Sequence, residues 1–137
     1  MMRSGLVYAL LLAVGSAAAL PVAAAEYPEN GEVRDKAWAA TEAKDYLAAL
    51  QHYRALAAQG DPAGHFGLAM SYLRGRGVKE DDAIGANWMR KAADLGYPDA
   101  LSAYGLLFEQ GEGVTKDQAR ANEYYRKNTE KGNSTGA

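Results

Sequence analysis

Residues 73–82 read LRGRGVKEDD, and residues 109–118 read EQGEGVTKDQ. Two glycines one residue apart among charged neighbours can cradle a phosphate, so the first question is whether this stretch carries chemistry or only turns the chain. A dinucleotide loop needs a strand before its glycines and a helix opening directly after them, and a P-loop needs Gly-Lys followed by Ser or Thr. Neither context is present: Lys79 lies beyond Val78, and the next good helix cap waits until Asp81. In the second copy Arg74 and Arg76 become Gln110 and Glu112, an exchange that a basic cradle used twice would not tolerate. The turn reading covers both copies. Glycine reaches the positive φ that ends a helix and reverses the chain, and the valine then tucks back onto the joined pair.

Working outward, residues 60–96 slide over 96–132 without a gap. Gly60 pairs with Gly96, Pro62 with Pro98, Gly75 with Gly111, Gly77 with Gly113, Asp81 with Asp117, Arg90 with Arg126 and Lys91 with Lys127. The unit is therefore a structural repeat. Pro62 and Pro98 suit a first helical turn, where the missing N–H would have had no partner, and Gly75 and Gly111 suit the left-handed residue that stops a helix. This predicts first helices over about 62–74 and 98–110. Asp81 and Asp117 are good N-caps for second helices that run to Gly96 and Gly132. Gly64, Leu68, Ala69 and Tyr72, and likewise Ala100, Tyr104, Gly105 and Phe108, fall at helical spacing, a face of small residues beside large ones. Ala83, Trp88, Ala92 and Ala93 do the same in the second helix, and no alternating β-branched segment predicts a strand.

The residues Gly64, Phe66-Gly67-Leu68-Ala69, Ser71-Tyr72, Gly75-x-Gly77-Val78, Asp81, Trp88, Lys91-Ala92-Ala93, Gly96 and Pro98 resemble the Sel1-like repeat, a relative of the tetratricopeptide repeat. The second copy, with Tyr104-Gly105, Gly111-x-Gly113-Val114, Asp117 and Tyr124-Tyr125-Arg126-Lys127, resembles it too. The resemblance implies an all-α, α/α solenoid whose members mostly bind proteins as adaptors or regulators, with first helices lining the concave side. Residues 32–60 lack the Gly-x-Gly-Val turn and look like a shorter tetratricopeptide-type unit: Asp45 and Tyr46 at the turn, Ala49, Tyr53 and Leu56 buried, and Trp38 the only large anchor of its first helix. With Sel1-like units at 61–96 and 97–132, the array amounts to about two and a half repeats. Where the middle unit has Ala92 and Ala93 the last has Asn128 and Thr129, a polar outer face that suits a terminal repeat. Gly132 is thus expected to end the fold, with 133–137 a frayed tail and 26–31 a loose lead-in.

The first 25 residues have the order of a secretory signal: Arg3, an apolar run from Leu6, then small residues ending in Ala23, Ala24 and Ala25. Cleavage before Glu26 would leave a chain with no stable membrane span. The chain of 137 residues carries 15 Lys and Arg against 17 Asp and Glu, a net charge of −2, and removal of Arg3 makes it more acidic. No basic run points to nucleic acid or an anionic membrane surface. There is no cysteine, so stability comes from packing alone, and thiol catalysis and zinc–thiolate sites are excluded. The leader and absent disulfides together suggest the periplasm, with secretion to the outside the alternative.

Chemistry has few candidates. His52 takes the repeat position of Trp88 and Tyr124, which suggests packing; His65, near the start of a first helix, is expected at the surface, and the two lack a metal-ligand spacing. Ser71 and Ser102 lie inside helices without an elbow motif. Glu80, Asp81 and Asp82 lack the spacing of a calcium loop and read as capping. No catalytic residue, metal or cofactor is expected. Some secreted Sel1-like proteins carry a disulfide in each repeat and are linked to β-lactam binding or hydrolysis, a pattern this cysteine-free chain departs from. Phe66, Met70, Leu73, Tyr97 and Leu106 fall off the core pattern and form the candidate partner-binding set; the alternative is that they complete a small core. The sequence thus predicts a small, monomeric interaction module for another periplasmic or envelope protein. A hydrolase of β-lactam or cell-wall material and a structural subunit of an envelope assembly are the alternatives.

Overall fold

The computed structural model describes residues 30–136, and the leader falls outside them. Among the described residues six helices follow one another: α1 (Gly31–Glu42), α2 (Tyr46–Ala58), α3 (Pro62–Arg74), α4 (Asp82–Asp94), α5 (Pro98–Gln110) and α6 (Gln118–Gly136). Each lies mainly against the helices before and after it, the one-dimensional stacking expected of a solenoid. Among the described residues none of the helices is long and apolar enough to cross a membrane.

The local signals act as the residue chemistry requires. Pro62 and Pro98 open α3 and α5, and Gly75 and Gly111 close them in the left-handed conformation with φ +65° and +72°. The Asp81 carboxylate accepts a hydrogen bond from the Ile84 amide at 3.0 Å, and Asp117 does the same for Arg120 at 3.1 Å. Asp45 caps α2 through the Ala48 amide. The α1–α2 turn needs only three residues because Lys44 itself takes positive φ, +62°.

The second glycine of each turn has a separate task. A Cβ on Gly77 would stand 2.8 Å from the carbonyl oxygen of Tyr46, the first residue of α2, and one on Gly113 would overlap the carbonyl of Asp82, the first residue of α4. Each Gly-x-Gly turn therefore rests on the start of the preceding repeat's second helix. Arg76 stacks over the Tyr46 ring at 5.2 Å, and Arg74 reaches Glu112 of the next turn at 3.5 Å. The residues that vary between the two copies thus bind neighbouring repeats together.

The main core gathers Ala69, Leu73, Met89, Ala92, Leu101, Tyr104 and Phe108, all buried. In α4 the buried side is Gly85, Ala86, Met89, Ala92 and Ala93; Ala83, expected there, is exposed because it lies one turn too early, beside the end of the Gly-x-Gly-Val loop. Asn30 is buried and Gly31 already helical, so these two residues of the expected lead-in belong to the fold, and the rest of it lies outside the described residues. At the other end α6 continues past Gly132 to Gly136. Gly60 and Gly96 take positive φ two residues before Pro62 and Pro98 open the next helix; Gly132 is followed by no such proline in residues 133–137. A mid-helix glycine costs only about 1 kcal/mol, which does not force a stop.

Candidate functional site

Counting back from helix ends brings out a row that spans all three hairpins. Trp38, Met70 and Leu106 each stand four residues before the last residue of α1, α3 and α5. Trp38 is 66% exposed, Leu106 is 40% exposed and Met70 is half-buried. Trp38 does not anchor a core, as its sequence context suggests; Ala37, one residue earlier, is the buried residue of α1. The exposed side of the second helices carries Gln51, Arg54, Asn87, Arg90 and Lys91 together with two single large apolar residues, Leu47 and Ile84, whereas the first helices repeat an apolar residue at one position of all three.

Two recesses open on this face and share Trp38, Tyr53 and Phe66. One, of about 160 Å³, runs toward the glycine turns and is closed by Met70, Tyr46 and Arg76. The other, of about 250 Å³, runs toward the helix starts and is bounded by Tyr97, Asp35 and Asp99. The Tyr53 hydroxyl is 2.8 Å from Thr41 Oγ1, which fixes that ring from α1. Tyr97 lies on Phe66 with centroids 5.5 Å apart. Burial, then Asp99 and Asp61, raise the Tyr97 phenol above its ordinary pKa.

Beneath the second recess is a polar lock. Asp61 is fully buried; its Oδ2 accepts from Arg34 Nη2 at 2.6 Å and Nε at 2.8 Å and from Asn30 Nδ2 at 3.2 Å, while Oδ1 caps the Ala63 amide at 2.9 Å. No local pattern announces this lock, because its partners are 27 and 31 residues from Asp61.

The Sel1 repeat pattern matches residues 41–61, 62–97 and 98–133. The chain belongs to the Sel1 repeat family. The match includes α2, so the first hairpin joins the Sel1 series through its second helix. Among solved structures, a Sel1 repeat protein from Oxalobacter formigenes superposes with TM-score 0.65 at 33% identity over 69% of this chain and 39% of that one. The c5321 protective antigen of uropathogenic Escherichia coli, described as displaying an SLR fold, gives TM-score 0.61 at 36% identity over 64% of this chain and 19% of that one. Two curated proteins are similar in sequence: the uncharacterized protein NMB1327 of Neisseria meningitidis serogroup B, 29% identical over 61% of this chain, and the chitin synthase regulator SKT5 of Saccharomyces cerevisiae, 28% identical over 64%. The matched stretch is 18% and 13% of those two proteins. Sel1 repeats mediate protein interactions.

Of the five candidate residues, this Sel1 array brings Phe66, Met70 and Tyr97 to the two recesses. Leu106 extends the exposed row but lines neither recess. Leu73 is a core residue, only 4% exposed, and it fills the space beside Gly85 of α4. It stands four residues after buried Ala69, so helical phase puts it on the inner side. His65 also differs from expectation. It is half-buried and stacks on Trp88, in the middle of α4, with centroids 5.4 Å apart. Its Nδ1 is buried without a hydrogen-bond partner. Burial first, and then Lys91, lower its pKa from the ordinary imidazole value, opposed by Asp61. Among the described residues no group of three or more His, Cys, Asp or Glu could hold a metal ion.

Proposed function

We propose that this Sel1 repeat chain is an exported, non-enzymatic interaction module that holds a segment of another periplasmic or envelope protein against α1, α3 and α5. The supporting observation is the row Trp38, Met70 and Leu106, apolar and accessible at one position of all three first helices. Apolar side chains at equivalent places of successive repeats give a segment lying across the face one anchor per repeat, and burying those anchors supplies the affinity. The yeast relative is named a regulator, which fits recognition without covalent chemistry. Export is proposed from the leader, and the recognised segment is then one present in the same compartment.

The test is the double substitution M70E/L106E. Leu106 is exposed and Met70 is half-buried at the edge of the core, so the expected outcome is loss of partner capture with a retained helical circular dichroism spectrum and a cooperative melt at a moderately lower temperature. Retained capture by a folded double variant would overturn the proposal.

A further inference from the structure

The recess between α1, α3 and α5 has a chemistry that the apolar row alone does not require. The rings of Trp38, Tyr53, Phe66 and Tyr97 line it, and the carboxylates of Asp35 and Asp99 stand at its rim. Both aspartates are exposed. The cation of the recess, Arg34, is engaged by buried Asp61. In and beneath the recess three carboxylates, Asp35, Asp99 and Asp61, stand against one guanidinium, so the surplus charge is negative. Burial first, and then Asp99 and Asp61 against the opposing Arg34, raise the Tyr97 phenol. Aromatic faces attract a cation through their quadrupoles, and carboxylates at the mouth favour it further.

We infer that this recess receives a lysine side chain of the bound protein segment, its alkyl stem lying along Trp38 and Phe66 and its ammonium reaching Asp35 and Asp99. A long stem with a charged tip matches a site that is apolar inside and acidic at the edge. A carboxylate at that position of the segment would meet like charge, so the site selects against acidic residues. The partner segment is accordingly one in which a lysine precedes or follows apolar residues that cover Met70 and Leu106. The inference rests on the proposed binding face and adds the chemistry of one of its subsites.

The probes are acetylated, amidated tetrapeptides Leu-Xaa-Ala-Leu in which Xaa is lysine, norleucine or glutamate, with n-butylammonium as a small-amine control. Each is titrated into the isotope-labelled chain, following the Trp38 indole and the amides near Phe66 and Tyr97. The lysine peptide is expected to move these resonances and to bind about tenfold more tightly than the norleucine peptide, in the range of a partly desolvated cation–aromatic contact. The variant D35N/D99N, altered only at exposed positions, should remove that preference and leave norleucine binding unchanged. Equal or tighter binding of norleucine overturns the lysine subsite while leaving the apolar face standing. Binding of n-butylammonium as tight as the lysine peptide assigns the recess to small amines and overturns it too. Shifts confined to α2, α4 and α6 contradict both the subsite and the face, and no binding by any probe overturns the subsite, with the face then judged by M70E/L106E.

Discussion

The two joints of the array place different chemistry at the same geometric positions. At the first, Arg34 of α1 meets Asp61 just before α3; at the second, Phe66 of α3 meets Tyr97 just before α5. Arg34 and Phe66 each stand eight residues before the end of their helix, and Asp61 and Tyr97 each precede the opening proline. One joint is a buried ion pair and the other a pair of rings. The difference teaches that joint geometry comes from the repeat, while the contact at this point is free to be polar or apolar provided it is complete. Asp61 is fully buried, so its charge must be answered in full; Tyr97 is neutral and only half-buried, so it makes no such demand.

The sharpest break of this comparison is D61N. Asparagine can still cap the Ala63 amide but removes the buried charge that Arg34 meets at 2.6 Å, and a loss of about 3 kcal/mol is expected in urea unfolding. The double substitution R34F/D61Y, which copies the second joint into the first, should recover most of that loss, since an apolar pair often replaces a buried ion pair at little cost. If D61N and R34F/D61Y lose equal stability, the two joints are not equivalent.

The next effect separates the two glycines of one turn. Gly75 needs only its left-handed φ, with 3.4 Å of clearance for a Cβ, whereas Gly77 needs both its φ of +80° and its approach to Tyr46. G75A should cost about 1 kcal/mol, from backbone strain alone. G77A should cost about 2 to 3 kcal/mol, because overpacking against the α2 backbone adds to the strain. Equal losses would mean that the turn does not dock on α2.

The smallest expected effect is a pH dependence at His65. Its folded pKa lies below the ordinary imidazole value, so the unfolded chain takes up the proton first. Stability is therefore complete where both states are neutral and falls as pH drops through about 6.5, the unfolded imidazole value. H65F should keep the stack on Trp88 and lose less melting temperature than the wild type between neutral pH and pH of about 5.5. An identical decline in both proteins would remove His65 as its source.

Much of this fold could be read along the chain because its signals are local. Pro62, Gly75, Asp81 and Pro98 each act within a few residues, and the repeat shows them twice. Residues whose role depends on a distant partner were not legible in this way. Asp61 looks like an ordinary cap until α1 folds over it, His65 looks exposed until α4 brings Trp88 to it, and Gly77 looks interchangeable with Gly75 until α2 lies under the turn. For the candidate site, Phe66, Met70 and Tyr97 stand out as apolar residues off the repeat's core positions, and the structure has them both pack against the core and line the recesses. Leu73 was misplaced for want of one step of helical phase from Ala69. Trp38 was misplaced because a large aromatic in a weakly patterned helix invites a core assignment, whereas Ala37 fills that role.

The central claim, that a partner lies across the three first helices, is tested most directly by photo-crosslinking in intact cells. A photoreactive residue is placed at Met70 or Leu106 on that face, and at exposed Arg90 or Arg126 on the second helices. The account predicts the same discrete protein adduct from positions 70 and 106 and none from 90 and 126. Adducts from 90 and 126 alone would contradict it.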